Sequence, residues 1–210
     1  MSTRSITLIR SEFADYDWET KEYKSSIHSI ARFYRHCDGY PEGHGLHIAL
    51  ALAKVSLEPE EVNNRNWAQH FLKNICAMNC DVEFEPPSKA DGGYAHGDLE
   101  YIYRITGSQD YTGGKEGKPD AGDCVCMEVF AVDWSMNLDA DYSQLDSMEP
   151  MFKGTWRGFL PWIREDCMGR GEYASDPFAY PYSPQDWVHG TLTEEEWKTV
   201  QGAAGYDPGA

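Results

Sequence analysis

The stretch IHSIARFYRHCDGYPEGHGLHIALALAKV, residues 27–55, decides the architecture. Its first ten residues, Ile27 to His36, carry apolar side chains on both faces, the pattern of a covered central strand. Asp38-Gly39 and Tyr40-Pro41 are turn dipeptides, and Gly43 and Gly45 follow them. From Leu46 to Val55 the chain reads as a helix, with Leu46, Ala49, Leu50 and Ala53 at helical spacing. A strand therefore passes through a glycine-rich turn into a helix.

Upstream, Ser5 to Arg10 alternates and predicts a first strand, while residues 11–24 are acidic and aromatic and read as a long loop. Downstream, Pro59-Glu60-Glu61 has the proline and acids of a helix first turn. Asn64 to Asn79 then puts Trp67, Phe71, Leu72, Ile75 and Cys76 on one stripe of an amphipathic helix. Pro86-Pro87 ends a short segment. Residues 98–106 predict a strand with Leu99, Tyr101, Tyr103 and Ile105 on one face. Residues 107–122 form a polar, glycine-rich hairpin loop, and the apolar run 124–132 is another strand covered on both faces. The order β-β-α-α-β-β predicts an α+β core, with a mostly antiparallel sheet and a helix pair on one face.

This core spans residues 1–133. Residues 134–210 form an acidic, irregular extension with five of the seven tryptophans and no clear strand. It is expected to pack back on the core. Within it, Met148 to Ile163 predicts a helix broken at Gly154, Gly158 and Pro161. A shorter helix begins at Thr193-Glu194-Glu195-Glu196, capped by Thr193 or Thr191. Residues 203–210 read as a frayed tail.

The 210 residues carry a formal charge of -17. Residues 1–80 hold nine Lys/Arg and ten Asp/Glu, whereas residues 81–210 hold nine and twenty-five. A field of that sign disfavours binding to phosphate backbones and favours a partner protein with a basic surface. No run of 18 apolar residues predicts a membrane span. The first residues lack the pattern of a signal peptide, and six cysteines are too sparse for a disulfide scaffold. The expected location is the cytoplasm, or a host cytoplasm if the protein is phage-encoded.

Two regions are candidate sites. At the strand–turn–helix junction, Arg35, His36, Asp38, Gly39, Tyr40, Gly43, His44 and Gly45 suit an anionic small ligand. Backbone N–H groups at a helix start attract anions, glycines permit close approach, and Arg32 adds charge. The competing reading is purely structural, with glycines serving backbone shape. His36, Asp38, His44 and His47 are also metal-ligand types, but at no recognised spacing. Cys76 and Cys80 share a helix face, Cys124 and Cys126 share a strand face, and together they could meet a zinc ion. Buried free thiols are the plainer expectation. No cofactor is predicted, and no catalytic motif is present. Cys37 beside His36 is no dyad, because strand neighbours face opposite ways. Asp98 and Glu100 are no more than an acid-rich chain places together.

The second region is the run Asp133, Asp139, Asp141, Asp146 and Glu149, with Trp156 and Trp162 behind it. Acids with aromatic anchors suit a basic protein partner. The alternatives are a solvated loop and aromatics packed inward.

The junction Tyr34-Arg35-His36-Cys37-Asp38-Gly39-Tyr40-Pro41-Glu42-Gly43-His44-Gly45 resembles the YRHxDGYPxGxG segment of a family of small, mostly uncharacterised bacterial and phage proteins. The similarity covers residues 27–55, and residues 98–132 only in general pattern. The usual member has Trp at the position of Cys37 and ends soon after the second hairpin. The resemblance implies a small α+β core and a phage or prophage setting. It implies no activity and assigns no catalytic residue. With the acidic surface, it leads us to expect a non-enzymatic protein that blocks a host defence component. The alternatives are a protein sequestering a nucleotide-like signal and an enzyme acting on a phosphorylated small molecule.

Overall fold

A computed structural model describes residues 3–57, 66–78, 82–85, 98–108, 124–133, 135–136, 138–139, 141–169, 178 and 192–206. The readings at Pro59–Glu61, Pro86-Pro87, Cys80 and Thr191, along with the loop tip 109–123 and the last four residues, lie outside them.

The fold is α+β. Strands β1 (Ser5–Asp17), β2 (Glu22–Arg35), β3 (Glu83–Glu85), β4 (Tyr101–Ser108), β5 (Val125–Ala131) and β6 (Phe152–Gly154) form one sheet in the order β3-β2-β1-β4-β5-β6. Every neighbouring pair is antiparallel except the central β1–β4 pair, which is parallel. The described α-helices are α1 (Leu46–Leu57), α2 (Trp67–Ala77), α3 (Trp156–Gly169) and α4 (Glu194–Ala203).

One sheet face carries the larger core, built from Ile9, Phe33, Tyr103, Ile105, Met127 and Val129 with the apolar sides of the helices. Helix α1 contacts α2, α3 and α4 and is buried nearly all round. Its alanines at 49, 51 and 53 let these neighbours approach. The opposite face carries a smaller core of Ile6, Leu8, Tyr34, Leu99, Ile102 and Phe130, roofed by Tyr142 and Leu145.

Several expectations are corrected. Residues 11–24 are not a long loop. Strand β1 runs on to Asp17, a turn occupies residues 18–21, and β2 starts at Glu22. The segment was hard to recognise because neither face is continuously apolar, and backbone pairing with cross-strand contacts such as Tyr16–Tyr23 holds it instead. The C-terminal part does contain a strand, β6, which pairs with β5. Three residues are too few to show periodicity. Helix α3 starts after Gly154 and runs through Gly158 and Pro161 unbroken. Leu99 belongs to the smaller core, away from Tyr103 and Ile105. Cys76 is exposed, off the buried stripe of Trp67, Phe71 and Ile75. Thr193 does cap α4, in a capping box with Glu196.

Candidate functional site

The junction turns its polar groups inward. Asp38 adopts a left-handed conformation (φ 55°), which aims its carbonyl at the N–H of His44 (2.9 Å). A one-turn π-helix, Pro41–Gly45, leads into α1. His44 is fully buried among Phe33 and Tyr103. The Arg35 guanidinium donates to His44 Nδ1 (3.3 Å), so Nε2 carries the proton and donates to Thr7 Oγ1 (3.0 Å). Burial, then the adjacent Arg35 charge, hold the imidazole well below its ordinary pKa. Arg35 also donates to the Cys37 carbonyl (2.6 Å), and the Tyr103 hydroxyl to the Gly39 carbonyl (2.8 Å). A side chain on Gly39 would meet the backbone of Arg4 and Ser5 at 2.8 Å, and one on Gly43 the Asp38 carbonyl at 2.6 Å.

The residues of the predicted anion site are therefore divided between interior and surface. Arg35, Gly39, His44 and Gly45 are buried, with Arg35 bonded to His44, Gly39 to Thr3 and Tyr103, and Gly45 to Tyr40, while His36, Asp38 and Tyr40 are exposed. His36 pairs with Glu83 (2.9 Å). Both His44 nitrogens are used, which removes it as a metal ligand. Among the described residues, no three His, Cys, Asp or Glu side chains are arranged to hold a metal. Cys124 and Cys126 are half-buried and Cys37 is exposed.

The other sheet face is organised by charge. One rung crosses all six strands: Glu85, Arg32, Leu8, Arg104, Glu128 and Lys153 are successive register partners. Arg32 meets Glu85 at 3.1 Å, Arg104 meets Glu128 at 2.6 Å, and Lys153 meets Glu128 at 3.1 Å. Burial alone would raise the Glu128 pKa, but its bonds from Arg104 and Lys153 prevail and lower it. This rung divides the smaller apolar core from the open part of the face. Sequence periodicity shows nothing of it, because the pairing joins six distant segments.

Beyond the rung, β1 and β2 continue as a two-stranded ribbon. Trp18 is 83% exposed, Tyr23 73% and Ile27 59%. Tyr16 stacks edge-on with Trp18 and Tyr23 at the tip. Glu12, Asp15, Asp17, Glu19 and Glu22 outnumber Lys21 and Lys24 there. Asp17 holds the turn, accepting from the N–H groups of Glu19 and Thr20 and from Lys24 (2.5 Å).

The predicted acidic run lies beside the ribbon's base. Asp139 accepts from the Ser143 N–H (2.9 Å), Asp133 from the Ser135 N–H (2.8 Å), and both stay ionised below the usual carboxylate range. Asp146 pairs with Arg104 (2.5 Å) and lies 3.9 Å from Arg10, while Asp141 and Glu149 are exposed. Trp156 and Trp162 are not a contact surface. Trp156 is fully buried and donates to Ser56 Oγ (2.9 Å), and Trp162 packs on Phe152 and Phe159. Among the described residues, the most exposed aromatics, Trp18 and Tyr23, are on the ribbon instead. Their signal was present in Tyr16, Trp18 and Tyr23, spaced for alternation around a turn. A cavity of about 330 Å³ separates the ribbon from the loop, lined by Leu8, Arg10, Ile27, Arg32, Asp141 and Tyr142 among others.

No helix among the described residues is long and apolar enough to cross a membrane. No protein-family model, curated protein or solved structure matches the chain.

Proposed function

We propose that this is a non-enzymatic binding protein that engages a partner protein with a basic surface. The ribbon supplies the apolar anchor, and the acids of the ribbon and of residues 133–149 supply the surrounding charge. The observation that carries this reading is the ribbon tip, where Tyr16, Trp18 and Tyr23 are grouped outside either core. Aromatics that can be desolvated on contact, inside a charged rim, are the usual composition of an interface hot spot. The charged rim would speed encounter and make it sensitive to salt.

The resemblance at residues 34–45 makes a host defence component the first partner class to test. The experiment is capture from host lysate on immobilised protein, at low and at high salt. The wild type is compared with Trp18→Ser/Tyr23→Ser and with Asp139→Lys/Asp141→Lys. We expect a basic protein to be retained at low salt, released at high salt, and lost with either double variant. Retention that neither salt nor either variant alters would sink the reading.

A further inference from the structure

Arg10 is a largely buried cation of the open face with only a long ion pair to offset it among the described residues. Its side chain is 15% exposed, and its one ion pair among the described residues is the 3.9 Å contact to Asp146. Asp146 is committed more closely to Arg104, at 2.5 Å. Burial, then repulsion from Arg104, lower the Arg10 pKa, against the opposing pull of Asp146, Glu128 and Asp141. It lines the cavity, whose volume of about 330 Å³ lies at the small end of the range for ligand sites. That volume equals about eleven waters at liquid density, room for an amino acid.

The rest of the lining narrows the chemistry. Leu8 and Ile27 offer apolar surface, and Asp141 stands at the exposed rim. Tyr142 forms a wall while held at φ 54°, a backbone region that a bulky residue rarely adopts. The Arg32 guanidinium lies 5.8 Å from the centre of its ring, fixing that wall against the charged rung. Inorganic phosphate suits Arg10 but is repelled by Asp141 and Asp146. A metal cation suits the aspartates but is repelled by Arg10 and Arg32. A molecule bearing both charges suits both.

We propose that this cavity binds a small zwitterion of amino-acid size, with its carboxylate on Arg10, its ammonium at Asp141 and its side chain against Leu8 and Ile27. The cavity shares Asp141 with the acidic rim proposed for the partner, but Trp18 and Tyr23 of the ribbon tip do not line it.

The test is titration calorimetry of the full chain with each standard amino acid. Each is paired with its decarboxylated amine and its deaminated acid. At least one amino acid should bind, while its amine and its acid each bind at least about tenfold more weakly. Asp141→Asn, at the exposed rim, should weaken the amino acid about tenfold and leave the deaminated acid unchanged, and Arg10→Lys should weaken both. The proposal is overturned if no amino acid binds at millimolar concentration, if amine or acid alone binds as well, or if Asp141→Asn and Arg10→Lys bind like the wild type.

Discussion

The two sides of the β1–β2 hairpin show opposite uses of polar residues. At its base, on the helix-covered face, Thr7, Arg35 and His44 form a chain of bonds buried among Phe33 and Tyr103. At its tip, Glu12, Asp15 and Asp17 bond to exposed neighbours, Ser25, Ser26 and Lys24, and the aromatics lie in solvent. The base holds the richest motif in the sequence, yet its buried Arg35 and His44 are satisfied by each other and by the fold around them. The tip looks like an ordinary acidic loop, yet it presents unsatisfied apolar surface. Density of distinctive residues thus marks where backbone shape is demanding, and availability for binding has to be judged from burial.

If the covered face is tightly determined, its glycine contacts should tolerate least. A Cβ at Gly107 would lie 2.2 Å from the indole of Trp67, the buried first residue of α2. Gly107→Ala should cost about 3 kcal/mol, the upper part of the overpacking range, because the indole has nowhere to move. Urea denaturation measures it. A loss below about 0.5 kcal/mol, the level of a neutral surface change, would show that the core on this side yields.

The charged rung comes next. Glu128→Gln removes the carboxylate that Arg104 and Lys153 share. A partner removed from a buried ion pair costs several kcal/mol, but Lys153 is exposed and Asp146 still serves Arg104, so about 2 kcal/mol is expected. The sign with pH follows from the lowered Glu128 pKa. The stabilisation is present above the ordinary glutamate range and is lost as pH falls through the folded value. The variant should therefore lose less stability than the wild type on acidification below about pH 4.5.

His44 separates the two faces in a higher pH window. Its folded pKa is depressed, so the unfolded chain binds the proton first. Stability is complete above the ordinary histidine value and declines as pH falls below about 6.5, by up to about 1.4 kcal/mol per pH unit. His44→Gln should be less stable at pH 7.5 but flatter between pH 6.5 and 5.5. An unchanged slope in the variant would place the titrating group elsewhere.

How far the sequence reached follows the same division. Residues 27–55 were legible as strand, turn and helix because propensity, turn dipeptides and apolar spacing agree there. The junction's glycines read equally as ligand cradle or as backbone necessity, and only the 2.8 Å approach of Arg4 and Ser5 to Gly39 separates the two. The ribbon was missed because its strands bury too little to show alternation. The rung was invisible because Arg32, Leu8, Arg104, Glu128 and Lys153 meet through register alone. The acidic run was found, but Asp146 is neutralised by Arg104 and the tryptophans behind it serve the core.

The smallest effect on stability is expected at the ribbon tip, and it is the most informative about function. Trp18 and Tyr23 touch Tyr16 and little else, so Trp18→Ser with Tyr23→Ser should change unfolding free energy by no more than about 0.5 kcal/mol. An isolated two-stranded ribbon is marginal in water, and exposed aromatics at its end add little to it. Large aromatic area kept there without structural benefit needs another cause, and contact with a partner supplies one. If the double variant instead lost as much stability as Gly107→Ala, the tip would belong to the fold, and the contrast between the two ends of the hairpin would disappear.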